Sequence, residues 1–326
     1  DLAVFVHNIY KFNSQWDLTA GLRYAETDAD DRVDNLNGAG AFGSGVVIPP
    51  PSQKDNWSSV SGTLKLSYHM NENIHIYGGY DRGFKPGGHN NYSSTLPKYD
   101  EEVADNFEVG IKGTSLDRRL RWSTSLFYTE YTDFQVNSPS EFGGSSFFQN
   151  AASVEIPGIE AEVTWLVSDN FTLDGQIAYV KSEFGDFEHA ECTDLQKTTT
   201  PGCTQDLTGE EVSGNSPLTW NLNANYKSVL ENTNLHWYFY AGLVYRDSTN
   251  GLTTLDERAD IDDYTLVNAS LGLSSADGSW DLALWGKNLS DEDYISAYEI
   301  ARDGNFGLNA DLGDSRTYGI KLKYNF

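Results

Sequence analysis

Apolar and polar side chains alternate with period two along almost the whole of this chain, a pattern that fits strands and not helices. In 16–24, Trp16, Leu18, Ala20, Leu22 and Tyr24 share one face, against Asp17, Thr19, Gly21 and Arg23. Ile159, Ala161, Val163 and Trp165 likewise oppose Glu160, Glu162 and Thr164, and Leu218, Trp220, Leu222, Ala224 and Tyr226 oppose Thr219, Asn221, Asn223 and Asn225. The periodicity predicts about thirteen strands, near 2–12, 15–27, 57–69, 73–83, 102–113, 119–132, 157–168, 170–182, 216–228, 234–246, 263–274, 279–289 and 315–326. Most are ~10–13 residues long, close to the ~9–11 that a tilted strand needs to cross a bilayer and about twice the ~5–6 of an ordinary globular strand. No stretch reaches the ~18 consecutive apolar residues of a spanning helix, but a membrane barrel needs apolar side chains only at alternate positions.

Alternation alone leaves open which face is wet, since a soluble barrel would turn its apolar face inward. The connections decide. Tight ones near 12–15, 69–73, 113–119, 167–171, 228–234 and 274–279 alternate with long ones near 28–56, 84–101, 132–156, 183–215, 247–262 and 290–314. Short turns at one end and long loops at the other are the pattern of an outer-membrane barrel, with turns periplasmic and loops extracellular. Aromatics near strand ends (Trp16, Tyr24, Trp57, Tyr68, Trp122, Tyr128, Trp237, Tyr245 and Trp280) fit interfacial girdles. The reading is an all-β, antiparallel, up-and-down transmembrane barrel, apolar side out. Ile320, Leu322, Tyr324 and the terminal Phe326 form an alternating pattern that resembles the strand signal read by the barrel assembly machinery.

The formal net charge of −26 argues against nucleic acid as a partner, because a phosphate backbone would be repelled. Most carboxylates fall in the segments read as loops. Asp28, Asp30, Asp31 and Asp34 offer oxygens to a hard cation such as Ca²⁺, with a solvated acidic loop as the favoured reading; no cofactor is expected. Cys192 and Cys203 lie in one polar stretch beside Pro201 and Gly202, which suggests a local disulfide in an oxidising compartment, with two free thiols as the alternative. Six scattered histidines pair with no nucleophile, and there is no HExxH, P-loop or GxSxG, so no enzyme is expected. Gly38-Ala-Gly-Ala-Phe-Gly43 fits GxGxxG, but Pro49, Pro50 and Pro51 follow where a nucleotide-binding helix would run.

A series of motifs in order carries a family resemblance. Tyr77-Gly-Gly-Tyr-Asp-Arg-Gly-Phe-Lys-Pro-Gly-Gly-His-Asn90 is followed by Tyr99-Asp-Glu-Glu-Val, Asn106-Phe-Glu-Val-Gly-Ile-Lys112 and Phe127-Tyr-Thr-Glu-Tyr-Thr-Asp-Phe-Gln135. Gly158-Ile-Glu160, Trp285-Gly-Lys-Asn-Leu-Ser-Asp-Glu-Asp-Tyr294 and Arg316-Thr-Tyr-Gly-Ile complete it. The chain resembles the C-terminal part of the TonB-dependent receptors over nearly its whole length. That resemblance implies a barrel of about 22 strands around an N-terminal plug, a Ton box pulled by TonB, and import of a scarce nutrient. An iron–siderophore, cobalamin or oligosaccharide would bind between loops and plug. Counting back from Phe326, residues 1–326 are expected to be a C-terminal barrel portion that lacks plug, Ton box and first strands. Expected partners are outer-membrane lipid and lipopolysaccharide, the TonB complex, the barrel assembly machinery and a small-molecule or oligosaccharide ligand. Candidate ligand contacts are Arg82, Lys85, His89, Asn90 and Tyr92, with Phe142, Phe147, Phe148, Arg246 and Arg302. A passive pore and a structural or adhesive surface barrel are the competing readings.

Overall fold

The computed structural model describes residues 1–31, 53–90, 98–139, 146–200, 202–301 and 307–325. Thirteen antiparallel strands follow one another in a single sheet, each paired with its neighbours in sequence. They are β1 (Leu2–Lys11), β2 (Trp16–Asp31), β3 (Gln53–His69), β4 (Ile74–Lys85), β5 (Glu102–Ser115), β6 (Leu120–Pro139) and β7 (Ser146–Ser168). Next come β8 (Phe171–Val180), β9 (Leu218–Leu230), β10 (Leu235–Arg246), β11 (Tyr264–Ser275), β12 (Trp280–Lys287) and β13 (Thr317–Tyr324). Glu183–Asp186 adds a short strand alongside β7. All thirteen expected strands are present, in the expected order.

Register separates two faces. Trp16 pairs with Tyr68, Leu64 with Tyr80, Tyr80 with Phe107, Leu126 with Ile159, and Leu222 with Leu243, so the apolar positions form continuous rows across the sheet. These rows are not covered by protein: Leu64 is 52% exposed and Leu284 55%. The opposite face is cross-linked by its own polar groups. Ser123 Oγ donates to Glu162 Oε1 (2.9 Å), Thr164 Oγ1 to Asp174 Oδ1 (2.9 Å), Tyr240 OH to Asn223 Oδ1 (2.8 Å) and Tyr238 OH to Asp281 Oδ1 (2.9 Å). A sheet that satisfies polar side chains on one face and leaves a broad apolar band bare on the other is built to put that band in lipid. Ile320, Leu322 and Tyr324 of β13 continue the bare band, paired with Leu284, Leu282 and Trp280; Phe326 lies outside the described residues.

Tight turns close one end of the sheet. Asn13 Oδ1 accepts from the amides of Gln15 and Trp16, and Asn71 Oδ1 from those of Asn73 and Ile74. Asp277 repeats the device with Ser279. Such Asx turns satisfy backbone donors where the chain reverses and the ladder cannot.

At the other end, two features differ from the sequence reading. The connection expected over 132–156 is mostly strand, since β6 and β7 stay paired up to Pro139 and Ser146. Above the membrane neither face of that hairpin must be apolar, so alternation fades while pairing continues in unchanged register past Asp133 (φ 54°). Trp57, expected in the outward girdle, has the opposite parity to Tyr68 and is buried on the polar side.

The loop end also holds the cluster of buried hydrophobics among the described residues. Phe184, Phe187, Ala190 and Leu207 of 181–217 pack on Val136 and Val154 of the long hairpin, with Leu255 at the margin. Helix α1 (Asp194–Thr199) is started by a capping box: Gln196 N donates to Thr193 Oγ1 (3.2 Å) and Thr193 N to Gln196 Oε1 (2.7 Å). A disulfide joins Cys192 and Cys203 across it, with Cα atoms 5.9 Å apart. Gln205 Nε2 then donates to the carbonyls of Glu191 (2.7 Å) and Thr254 (2.8 Å), locking two loops together. Lipid supplies the apolar environment along the sheet, and only the water-exposed loops have to bury their hydrophobics against each other.

Candidate ligand-facing mouth

Between β4 and β5 the chain crosses the polar side of the sheet, and its residue types are set by what it passes. A Cβ on Gly87 would come within 2.5 Å of Trp57 Nε1 and 2.4 Å of the Tyr99 carbonyl oxygen; one on Gly88 would meet the Tyr99 hydroxyl at 2.3 Å. Close approach to backbone requires glycine at 87, while at 88 the end of the Tyr99 side chain would have to move aside.

The residues that follow anchor the segment. The His89 side chain is 0% exposed, with its ring 5.7 Å from that of Trp57 and its Nε2 2.8 Å from Asp55 Oδ2. Asp55 also has Lys98 Nζ at 3.5 Å, and the hydrogen bond from His89 is the main cause holding its carboxyl below the usual range, with Lys98 adding to it. Asn90, 6% exposed, uses its amide as a strand would: Nδ2 donates to the Phe148 carbonyl (2.7 Å) and Phe148 N donates to Oδ1 (2.8 Å). From β6, Gln135 Nε2 donates to the carbonyls of Pro86 and Asp100, both at 3.0 Å, while its amide donates to Glu102 Oε2 (2.8 Å). Asn150 Nδ2 bridges the carbonyls of Asp100 (3.0 Å) and Asp133 (2.7 Å). Three walls (β3, the start of β5 and the β6–β7 hairpin) therefore fix this segment.

The nominated contacts divide by position. Lys85 has inward parity, and its Nζ lies 5.8 Å from the centroid of the Phe148 ring, which itself packs on Tyr99 (5.1 Å). Arg246, at the top of β10, donates from Nε to Ser216 Oγ (2.7 Å) and from Nη2 to the Gly214 carbonyl (3.1 Å). Arg82 shares the outward face of Tyr80 and Phe107 and faces Asp105 at 3.4 Å. His89 and Asn90 are anchors within the wall. Phe147 lies on β7 opposite Ser138; Tyr92, Phe142 and Arg302 fall outside the described residues. Trp57, Tyr99, Gln135 and Asn150 were not nominated. Their signal is spatial, because nothing in the local sequence of β3 or β6 says that residues 86–90 pass over them.

Carboxylates dominate the rest of the rim. Asp256 is held below the ordinary carboxyl range chiefly by the side-chain hydrogen bond from Arg258, 2.6 Å away. Asp28 and Asp30 alternate on the outward side of β2, where Asp28 Oδ1 accepts from Asn56 Nδ2 at 2.8 Å. Among the described residues no three His, Cys, Asp or Glu side chains gather as a metal site would require, and Asp34 lies outside them.

An up-and-down sheet with a bare apolar band, short turns below and packed loops above defines an outer-membrane receptor barrel. The chain belongs to the TonB-dependent receptors: the family described as "TonB dependent receptor-like, beta-barrel" matches residues 1–289. It is 28% identical over 285 residues to the ferric-pyoverdine M114 receptor PbuA of Pseudomonas sp. strain M114, covering 84% of this chain and 31% of that protein. The crystal structure of the ferric yersiniabactin uptake receptor FyuA from Yersinia pestis superposes with a TM-score of 0.76 at 17% identity, covering 99% of this chain and 45% of that one. That of the siderophore receptor PiuA from Acinetobacter baumannii gives 0.72 at 19% identity, covering 98% and 42%. The chain thus spans about a third of the length of the curated relative. Its place is the bacterial outer membrane, in a family of transport receptors rather than enzymes.

Proposed function

We propose that the receptor to which this barrel belongs imports a ferric siderophore, with energy from TonB. The observation that carries this is the match over 285 residues to a ferric-pyoverdine receptor. The mouth supports it: Lys85 over the Phe148 ring, which packs tilted against Tyr99, is a cation beside paired aromatics, held on a braced wall and suited to a planar, oxygen-rich chelate. Cobalamin or an oligosaccharide would use the aromatics equally but gives no reason for the ferric ligands that the PbuA and FyuA receptors are named for. Among the described residues the 181–217 loop packs on the β6–β7 hairpin and on Leu255, as a ligand-holding rim requires and a simple pore does not.

Uptake of ⁵⁵Fe from siderophore extracts of the producing bacterium tests the proposal. Deleting the gene is expected to reduce receptor-dependent uptake to background, and deleting tonB to reduce it equally. Uptake that persists without TonB would support the passive pore. Loss of growth on a vitamin or sugar with iron uptake intact would move the ligand class.

A further inference from the structure

We infer that this mouth selects ferric chelates by charge, admitting neutral or cationic complexes and turning polyanionic ones away; the inference rests on the siderophore reading above. Two observations carry it. The first is the sign of the rim: in 246–263, Asp247, Asp256, Glu257, Asp260, Asp262 and Asp263 stand against Arg246 and Arg258, and 181–217 is similarly acidic.

The second is the state of the cations. Lys98 faces Asp55 (3.5 Å), Lys181 faces Glu183 (2.6 Å), Arg258 faces Asp256 (2.6 Å) and Arg316 faces Asp291 (2.8 Å). Lys197 is held by Glu191 and by Asp194 (3.6 Å), and Arg246 by Ser216 and the Gly214 carbonyl. A complex of charge −3 needs several cations turned toward it. Among the described residues every cation just named except Arg246, whose partners are neutral, is paired with a carboxylate in place, while Glu257, Asp260, Asp262 and Asp263 are exposed.

An excess of one sign around a mouth concentrates ligands of the opposite sign and repels its own. It changes association rates by about 10- to 1,000-fold, over distances set by a Debye length of ~8 Å at physiological salt. This is long-range steering by the rim as a whole, with no carboxylate acting as an iron ligand. Lys85 can still orient a bound chelate, since one cation positions an oxygen without cancelling a triple charge.

The test uses the full-length receptor in cells lacking other siderophore receptors, with the gene deletion as background. ⁵⁵Fe is supplied on chelates of graded charge: trishydroxamates of +1 and 0, a hydroxamate–carboxylate of −1 and a triscatecholate of −3. Receptor-dependent uptake is expected from the neutral and cationic complexes, at least about tenfold above that from the trianion. The variant Glu188→Lys, Glu257→Lys, Asp262→Lys alters three exposed positions, and is expected to close that ratio about tenfold. Uptake of the trianion at an equal or higher rate overturns the inference and leaves the siderophore reading intact, and so does a ratio unmoved by the triple substitution. No receptor-dependent uptake from any chelate overturns the siderophore reading itself.

Discussion

Phe184→Ala is expected to open the extracellular loop unit while leaving the barrel folded. Phe184 is 2% exposed, packs on Phe187 at 4.9 Å between ring centroids, and touches side chains from both the 181–217 loop and the β6–β7 hairpin. Truncating a buried Phe costs about 3–5 kcal/mol, in transfer free energy plus the cavity left behind. Here that cost falls on a local unit. The sheet holds its own hydrogen-bond ladder and lipid-facing surface, so the loss appears as local opening and not as global unfolding. Amide exchange at Leu207 and Gly209 reads it directly, because those N–H groups donate to the carbonyls of Phe187 (3.0 Å) and Phe184 (2.7 Å). Exchange there should accelerate by roughly 100- to 1,000-fold or more, at about tenfold per 1.4 kcal/mol. Leu195, 56% exposed on α1, is the control: Leu195→Ala should stay within about 0.5 kcal/mol. Unchanged exchange at Leu207 in the Phe184 variant would show that the cluster does not hold the loops.

The second large effect belongs to the lipid-facing band. Leu222 sits near the middle of β9 on the apolar face, between Gly175 of β8 and Leu243 of β10. An arginine there must be held at the depth of the hydrocarbon, which costs about 2–4 kcal/mol at the midplane of a barrel. Three residues on, Asn225 faces inward with its Nδ2 3.4 Å from Asp174 Oδ2. Asn225→Arg places the same charge beside a carboxylate in a polar lumen and should change stability by less than about 1 kcal/mol. Denaturant titration of the full-length receptor folded into vesicles separates the two. Equal costs at both positions would mean that the two faces of β9 do not differ in environment.

The sheet was legible because lipid is a simple solvent. It demands alternate apolar residues over a fixed length, and the chain meets that demand from Leu18 to Leu322 with little local exception. Where the demand stops, legibility stops too. β6 and β7 run on above the membrane with no obligatory apolar face, and a pattern-based boundary ended them early. Trp57 shows the same limit from the other side: an aromatic near a strand end reads as a girdle residue, yet its parity turns it inward to pack on His89. The mouth was legible as a segment but not as roles. Gly87, Gly88, His89 and Asn90 are distinctive together, and what each does depends on Trp57, Tyr99, Phe148 and Gln135, which the fold brings from other strands. The pairing of Cys192 with Cys203 was readable because loop closure between near neighbours has few alternatives.

The most direct test of the outward apolar face follows lipid contact along a single strand. Single cysteines placed in the full-length receptor from Leu218 to Tyr226, labelled with a fluorophore and reconstituted into vesicles carrying lipid-borne quenchers, report that contact residue by residue. Quenching is expected at 218, 220, 222, 224 and 226 and not at 219, 221, 223 and 225. Quenching that ignores this alternation, or inverts it, would contradict the assignment of these strands to an outer-membrane barrel with its apolar side in lipid.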